Sequence, residues 1–235
     1  MQRFKIDRKF LPLLVTIALF VVAYAYGFSQ YRGMRDPQAF VNLLVDNSFL
    51  LISAVGMTFV ILSGGIDLSV GAVISKKKVA SAHLLEKEGW SPVVVMPLML
   101  LMGVALGTIM GSIIHFFKVQ PFIVTLAGMF FARGMCFVIS TDAITISDPF
   151  YRALALYRIP IFGKTFISIN VVIVLVVLLA ALYLAHLTRF GRTVYAIGGN
   201  QHSALLMGLP VARTKILVYT LNGFCSALAG VVFSI

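Results

Sequence analysis

GMTFVILSGGIDLSVGAVI, residues 56–74, runs from an unbroken apolar helix into Gly64-Gly65, then a single carboxylate, Asp67, then Ser69 and a second apolar run. A carboxylate at membrane depth costs roughly 2.5–3.5 kcal/mol if it faces lipid. A break in the helix offsets that cost. The two glycines end one helix, and Asp67 is expected to cap the next by accepting its free N–H groups. Non-helical backbone at that depth survives only inside protein or beside a cavity. The stretch therefore predicts a helical membrane protein with one interrupted segment. A tight turn with an Asp cap explains it locally, and a place beside a transport path is compatible with that turn.

Composition points the same way. The 235 residues are 60% hydrophobic and 11% charged, with mean hydropathy +1.00. A soluble domain of this size could not hide so much apolar surface. The fold class is all-α, a polytopic transmembrane helical bundle, and residues 1–235 read as one domain. The net charge of +11 would suggest nucleic acid in a soluble protein. Here it fits basic loops facing a cytoplasm and anionic lipid, so membrane lipid is an expected partner and nucleic acid is not. Cys136 and Cys225 lie in apolar runs and read as buried free thiols. The four histidines, at 83, 115, 186 and 202, have no ligand spacing, so no metal and no cofactor is assigned. Phe10 to Phe28 follows a basic start. It is too long for a signal peptide and has no clear cleavage site, so it reads as a retained first span.

A span needs about 20 apolar residues. Candidates are residues 10–28, 42–63, 93–115, 121–140, 168–187 and 215–235. The start carries Arg3, Lys5, Arg8 and Lys9 against Asp7. The 188–214 connection carries Arg189, Arg192 and Arg213, with Lys215 just beyond, and no acidic residue. Both read as cytoplasmic. Only five clear spans separate them, and an even number must, so 66–84 is expected to cross as a short, partly broken span. That gives about seven spans and puts 141–167, with Asp142 and Asp148, outside. Lys76-Lys77-Lys78 contradicts this. Three lysines in mid-span cost several kcal/mol even with snorkelling. They are expected either to snorkel at the cytoplasmic end or to make this span insert poorly.

Three stretches carry a family resemblance. GMTFVILSGGIDLSVGA (56–72), PFIVTLAGMFFARG (121–134) and GRTVYAIGGN (191–200), running on to Gly208-Leu-Pro210, stand in one order across most of the chain from Asn42 to Ile235. Together they resemble the permease subunits of bacterial ABC importers for monosaccharides, the ribose, xylose and galactofuranose group, with the galactofuranose type nearest. The resemblance implies a bacterial inner-membrane location, an ATP-binding cassette subunit, a periplasmic sugar-binding protein and a second permease copy or paralogue. Members of the family continue for several more helices, so a C-terminally truncated permease is expected. They are also apolar where this chain has Lys76 to Lys78.

The 188–214 connection has its own mechanical reading. Gly198-Gly199 is expected to bend the chain, Asn200 to cap a short helix over residues 201–207, and Gly208 with Pro210 to end it. Ala204, Leu205 and Met207 would then face the cytoplasm. In the resembling family this place holds the coupling helix that docks on the ATPase, which makes Gly198, Gly199, Asn200, Ala204, Leu205 and Gly208 the candidate docking residues. A simpler reading is an amphipathic helix lying on the membrane. Candidate translocation-path residues are Gly64, Gly65, Asp67, Ser69, Arg133 and Asn222. Arg133 lies about 18 Å along its helix from Pro121, where a charge faces the bundle interior, a partner or water. Gly103, Gly107 and Gly111 have small-xxx-small spacing and predict close helix packing. Asn222, Ser226 and Gly230 recur every four residues and read the same way.

No GxxxxGK[ST] phosphate loop is present, nor any nucleophile–base arrangement or paired carboxylates, so the chain reads as a transport subunit without ATPase chemistry of its own. The expectation is an ATP-driven importer permease for a monosaccharide, ribose- or galactofuranose-like. One alternative is a secondary transporter or channel, for which Asp67 and Arg133 would be the main relay candidates. Another is a non-functional fragment.

Overall fold

The computed structural model describes residues 10–140, 144, 146–162 and 165–235. The basic start to Lys9 and Asp142, both used above to orient the chain, lie outside the described residues. The elements run α1 (Leu11–Gln30), a short 3-10 turn (Arg32–Arg35), α2 (Pro37–Asp46), α3 (Ser48–Leu62), α4 (Val70–Glu86), α5 (Pro92–Phe116), α6 (Pro121–Ile139) and α7 (Pro149–Leu156). A hairpin of β1 (Arg158–Phe162) and β2 (Thr165–Ser168) follows, then α8 (Ile169–Leu187), α9 (Arg189–Gly199), α10 (Gln201–Leu206) and α11 (Val211–Val232). Helix starts follow local chemistry. Proline opens α2, α5, α6 and α7, where its missing N–H costs nothing. The side chains of Asp36, Asp148, Thr188 and Asn200 accept free amides of α2, α7, α9 and α10.

Among the described residues, α1, α5, α6, α8 and α11 are each long and apolar enough to cross a membrane. Helices α2 and α3 form a sixth such path, bent by 54° at Asn47. The fold is an all-α polytopic bundle. Its connections sort to two ends. At one end Gln38 exchanges hydrogen bonds with the backbone of Phe166 (3.1 and 3.0 Å), and Glu86 accepts from the Ser147 amide. At this end Tyr151 of α7 is buried against Val95 and Met99. Burial first, and the Asp148 carboxylate second, push its phenol up to about 12, so it stays neutral. At the other end Gly198 touches the Leu62 carbonyl, and Lys215 donates to Gln201 at 2.5 Å. The connections 31–41 and 85–92 share the first end with α7 and β2, and 188–214 lies at the second, so residues 63–86 lead the chain from the second end to the first, with α4 as their later part.

The core is built on α11, which packs against α5, α3 and α4. Its contact with α5 is backbone on backbone. A Cβ added at Gly107 would sit 2.2 Å from the Tyr219 carbonyl oxygen, and one at Gly223 would sit 2.3 Å from that of Gly103. At Gly103 it would meet the Ala227 methyl at 2.4 Å. The small-residue spacing read from sequence is therefore a packing device. Lipid is as apolar as leucine, so helices here gain from close van der Waals approach and not from water exclusion. The hydroxyls of Thr108 and Thr220, 2.9 Å apart, tie the same two helices. By contrast α1 lies almost wholly exposed, with Leu19 and Val22 outward, as a lipid-facing helix does.

The structure corrects the expected place of the lysines. They do not lie at the end that carries 188–214. Helix α4 begins beside the middle of α11, so Lys76 to Lys78 stand about 10 Å further along, at 1.5 Å per residue. Lys77 packs on Gly230, and Lys78 lies over the Phe233 ring at 4.2 Å. Both contacts are at the end of α11 remote from α10. Lys76 lies 5.0 Å from the Phe131 ring centre. Aromatic faces attract cations, which offsets part of the cost for these two. Snorkelling does not occur at Lys77: it is 0% exposed, and its Nζ has no hydrogen-bond partner among the described residues.

Two outcomes follow for thermal unfolding of the purified protein in detergent. Gly107→Val should destabilise by about 1–3 kcal/mol or more through overpacking, while Gly134→Ala, with nothing within 4 Å, should be near neutral. Lys77→Met should raise the melting temperature, because it removes an unpaired buried cation and keeps the volume. A lower melting temperature for Lys77→Met would mean that the amine has a partner.

Candidate functional site

The break after α3 has a defined geometry. The Gly65 amide reaches back to the Val60 carbonyl (2.9 Å) and the Gly64 amide to Ile61 (2.9 Å). Gly64 itself sits at φ +76°, a conformation that costs glycine nothing. These are the two bonds of a Schellman ending. The chain then turns back towards the bundle centre. Asp67 does not cap α4; that position belongs to Ser69, which makes no side-chain cap bond. Instead Asp67 Oδ1 accepts from the Ser69 amide (2.8 Å) and hydroxyl (2.6 Å), and Oδ2 accepts from Asn222 Nδ2 (2.6 Å). The third donor comes from another helix, 155 residues away, and nothing local could announce it.

The three side chains are closed off from solvent: Asp67 is 4% exposed, Ser69 1% and Asn222 0%. No cation pairs with the carboxylate among the described residues. Three short hydrogen bonds, two from polar side chains, stabilise its charge instead. Asn222 also fills the space against Gly56, where a Cβ would lie 2.7 Å from its Oδ1. That oxygen has no partner among the described residues. The Tyr219 hydroxyl donates to the Ile66 carbonyl at 3.4 Å and closes over Gly65, leaving no room for a Cβ there.

Of the candidate path residues, the structure gathers Gly65, Asp67, Ser69 and Asn222 at one place halfway along α11. Gly64 is at the turn before them. Arg133 does not join them. It stands exposed on α6 with no hydrogen bond or ion pair among the described residues. No hydrogen bond or ion pair links Asp67 to Arg133 among the described residues. A cavity of about 460 Å³ between α4, α5 and α6 touches Ser69. The rest of its wall is apolar, with Val73, Met110, Val124 and Phe131, and the Ser69 hydroxyl is already given to Asp67.

At the far end the 188–214 connection is two helices. Gly198 and Gly199 do not bend the chain; they are the last residues of α9, and the turn is at Asn200. Gly198 has a different duty. A Cβ there would come 1.9 Å from the Leu62 carbonyl, so only glycine lets α9 lie against the end of α3. Asn200 caps α10 as expected, accepting the Ser203 amide at 2.9 Å. Gly208, at φ +74°, ends it. Ala204 is corrected: it is 2% exposed and packs with Ile197 and Val211. The outward face is Leu205, Leu206 and Met207, exposed by 59, 76 and 75%. Leu206 was missed because residue counting on a six-residue helix does not say which side its neighbours cover. The helix α9 had a readable signal in the Thr188 cap and the spacing of Val194 and Ile197.

Residues 39–235 match the family model for the permease component of branched-chain amino acid transport systems. The chain belongs to this permease family. It is 47% identical over 225 residues to the inner membrane ABC transporter permease protein YjfF of Escherichia coli, covering 96% of this chain and 68% of that one. It is 39% identical to the fructose import permease protein FruG of Bifidobacterium longum, over 98% of this chain and 69% of that one. The ribose import permease protein RbsC of Haemophilus influenzae is 37% identical over the same shares. No solved structure gives a match.

For this permease the Asp67–Asn222 link should behave as one unit. Asn222→Leu strips one donor from a buried carboxylate and should cost about 1–3 kcal/mol. Adding Asp67→Asn to it should recover part of that loss. Additive losses in thermal unfolding would mean that the two side chains are not coupled.

Proposed function

We propose that this chain is the membrane-spanning subunit of an ATP-driven importer that moves a monosaccharide into a bacterial cytoplasm. A separate ATP-binding cassette subunit supplies the energy, a periplasmic sugar-binding protein delivers the substrate, and two permease copies form the path. The names borne by the related fructose and ribose import permeases support a sugar substrate. The basic 188–214 segment and the acid-bearing opposite end support a cytoplasmic placement of α9 and α10, and of the N-terminus with them.

The observation that carries the reading is α10. Leu205 and Leu206 of α10, with Met207 just after it, are exposed on a helix whose other side is locked by Ala204 against α9 and α11. An exposed apolar patch on a rigid element marks a docking surface. Its mounting gives it leverage. Through Gly198, α9 bears on the end of α3, and α3 leads directly to the Asp67 turn. A push on α10 therefore reaches the interrupted segment through packed backbone, with no flexible link. Closure of an ATPase dimer would be transmitted as a rigid-body shift of this kind. The secondary-transporter alternative has less support, since Asp67 is satisfied by hydrogen bonds and Arg133 does not reach it.

Leu206→Glu should leave the membrane bundle folded and reduce recovery of the ATPase subunit on purified permease at least tenfold, with sugar uptake falling alongside. Ala204→Glu should instead destabilise the α9–α10–α11 packing itself. Unchanged recovery and uptake in Leu206→Glu would remove α10 as the coupling element. A single cysteine at Gln201, exposed at the start of α10, should resist a membrane-impermeant maleimide in intact cells and react in inverted vesicles.

A further inference from the structure

A second cleft, of about 720 Å³, lies between α9 and the start of α11. Its lining combines Arg189 and Arg192 from α9 and Arg213 from α11 with the apolar Phe190, Leu209 and Leu217. The three guanidiniums are exposed and make no hydrogen bond or ion pair among the described residues. No carboxylate occurs in the sequence after Asp148, and no carboxylate among the described residues pairs with them. Arg189 and Arg192 are one turn apart on one face of α9, and Arg213 approaches from the other wall. Three forked cations around one opening match the oxygens of a phosphodiester, which arginine binds bidentately.

Position selects the occupant. The cleft sits where α8 ends at Leu187 and α11 begins at Val211, the level at which spans leave the hydrocarbon. Leu217 is one turn deeper and 51% exposed. Tyr183 and Tyr195, 59 and 43% exposed, mark the same interfacial level, where aromatic residues gather. The lining is cationic and apolar together. An acidic protein segment would pair with the arginines and leave the apolar lining uncovered. We propose that this cleft holds an anionic phospholipid, with its phosphate between Arg192 and Arg213 and an acyl chain laid over Leu217. The lipid bridges α9 to α11 and so stiffens the mounting of α10. Only the choice of leaflet rests on the proposed cytoplasmic placement; binding in a symmetric bilayer does not depend on it or on the ATPase.

The test uses the purified permease in nanodiscs of phosphatidylcholine, with and without phosphatidylglycerol, read by co-purifying lipid and melting temperature. Wild type should retain phosphatidylglycerol over phosphatidylcholine roughly tenfold and melt higher when it is present. Arg192→Gln/Arg213→Gln should lose both effects and keep the wild-type melting temperature in phosphatidylcholine alone. Arg192→Lys/Arg213→Lys, which keeps the charge and loses the fork, should fall between. Arg152→Gln, on α7 at the opposite end, should behave as wild type. Equal lipid preference in wild type and the Gln variant would overturn the proposal. So would full protection by inorganic phosphate in phosphatidylcholine discs, which would mean a plain anion site. Loss of ATPase recovery with lipid retention unchanged would overturn it in favour of an acidic protein partner.

Discussion

The approach of α5 to α11 at glycine distance sets the rest of the bundle. With the Tyr219 carbonyl where a Gly107 Cβ would be, the two helices are as close as backbones can come, and their register is set by which glycines meet. That register presents three different faces of α11 to three neighbours. Ala227 and Gly223 face α5, Asn222 and Cys225 face Gly56 of α3, and Gly230 faces Lys77 of α4. Without water to drive association, such contact is the main source of attraction between spans. It works only over the narrow range in which the surfaces touch, so one helix must be at the centre, and α11 is that helix.

Because α11 is held in this way, Asn222 is a fixed donor at the bundle's middle, and a fixed donor is what lets the chain break there. The Schellman ending of α3 satisfies its last carbonyls, and the return to Asp67 would leave a bare carboxylate in an apolar interior. Asn222 and Ser69 supply three hydrogen bonds, and the segment becomes tolerable. Backbone that leaves the helix at this depth is then enclosed by α3, α4 and α11, as the absence of water requires. The same break starts α4 halfway along α11, and this puts Lys77 beside Gly230 and Lys78 beside Phe233. Lys76 and Lys78 find aromatic faces, and Lys77 finds none.

The far end uses the same physics for a different purpose. Gly198 against the Leu62 carbonyl joins the connection helices to α3 by direct backbone contact, while Ala204 anchors α10 inward and turns Leu205, Leu206 and Met207 outward. Rigid mounting and exposed apolar surface are opposite demands on one six-residue helix. They are met by giving one side to the protein and leaving the other free. The arginine cleft beside it combines three guanidiniums with an apolar lining, the pairing that the proposed lipid would use.

Much was legible in the residues themselves because it depended on local pattern or composition. The apolar runs located six crossing paths, since a span must be about 20 residues whatever it packs against. Gly64, Asn200 and Gly208 revealed their turns, because backbone conformation and capping are set within a few residues. The small-residue spacing of α5 announced close packing, though not the partner. What only the tertiary structure decided depended on groups far apart in the chain. Asp67 is bound by Asn222 and not by the helix it precedes. Gly198 is needed for Leu62 and not for a bend. Ala204 faces inward because α9 and α11 cover it, and Arg133 stands apart from Asp67. A carboxylate, a glycine or an alanine has the same local chemistry in each alternative, and the choice falls to whichever backbone or donor the packing of α11 brings within reach.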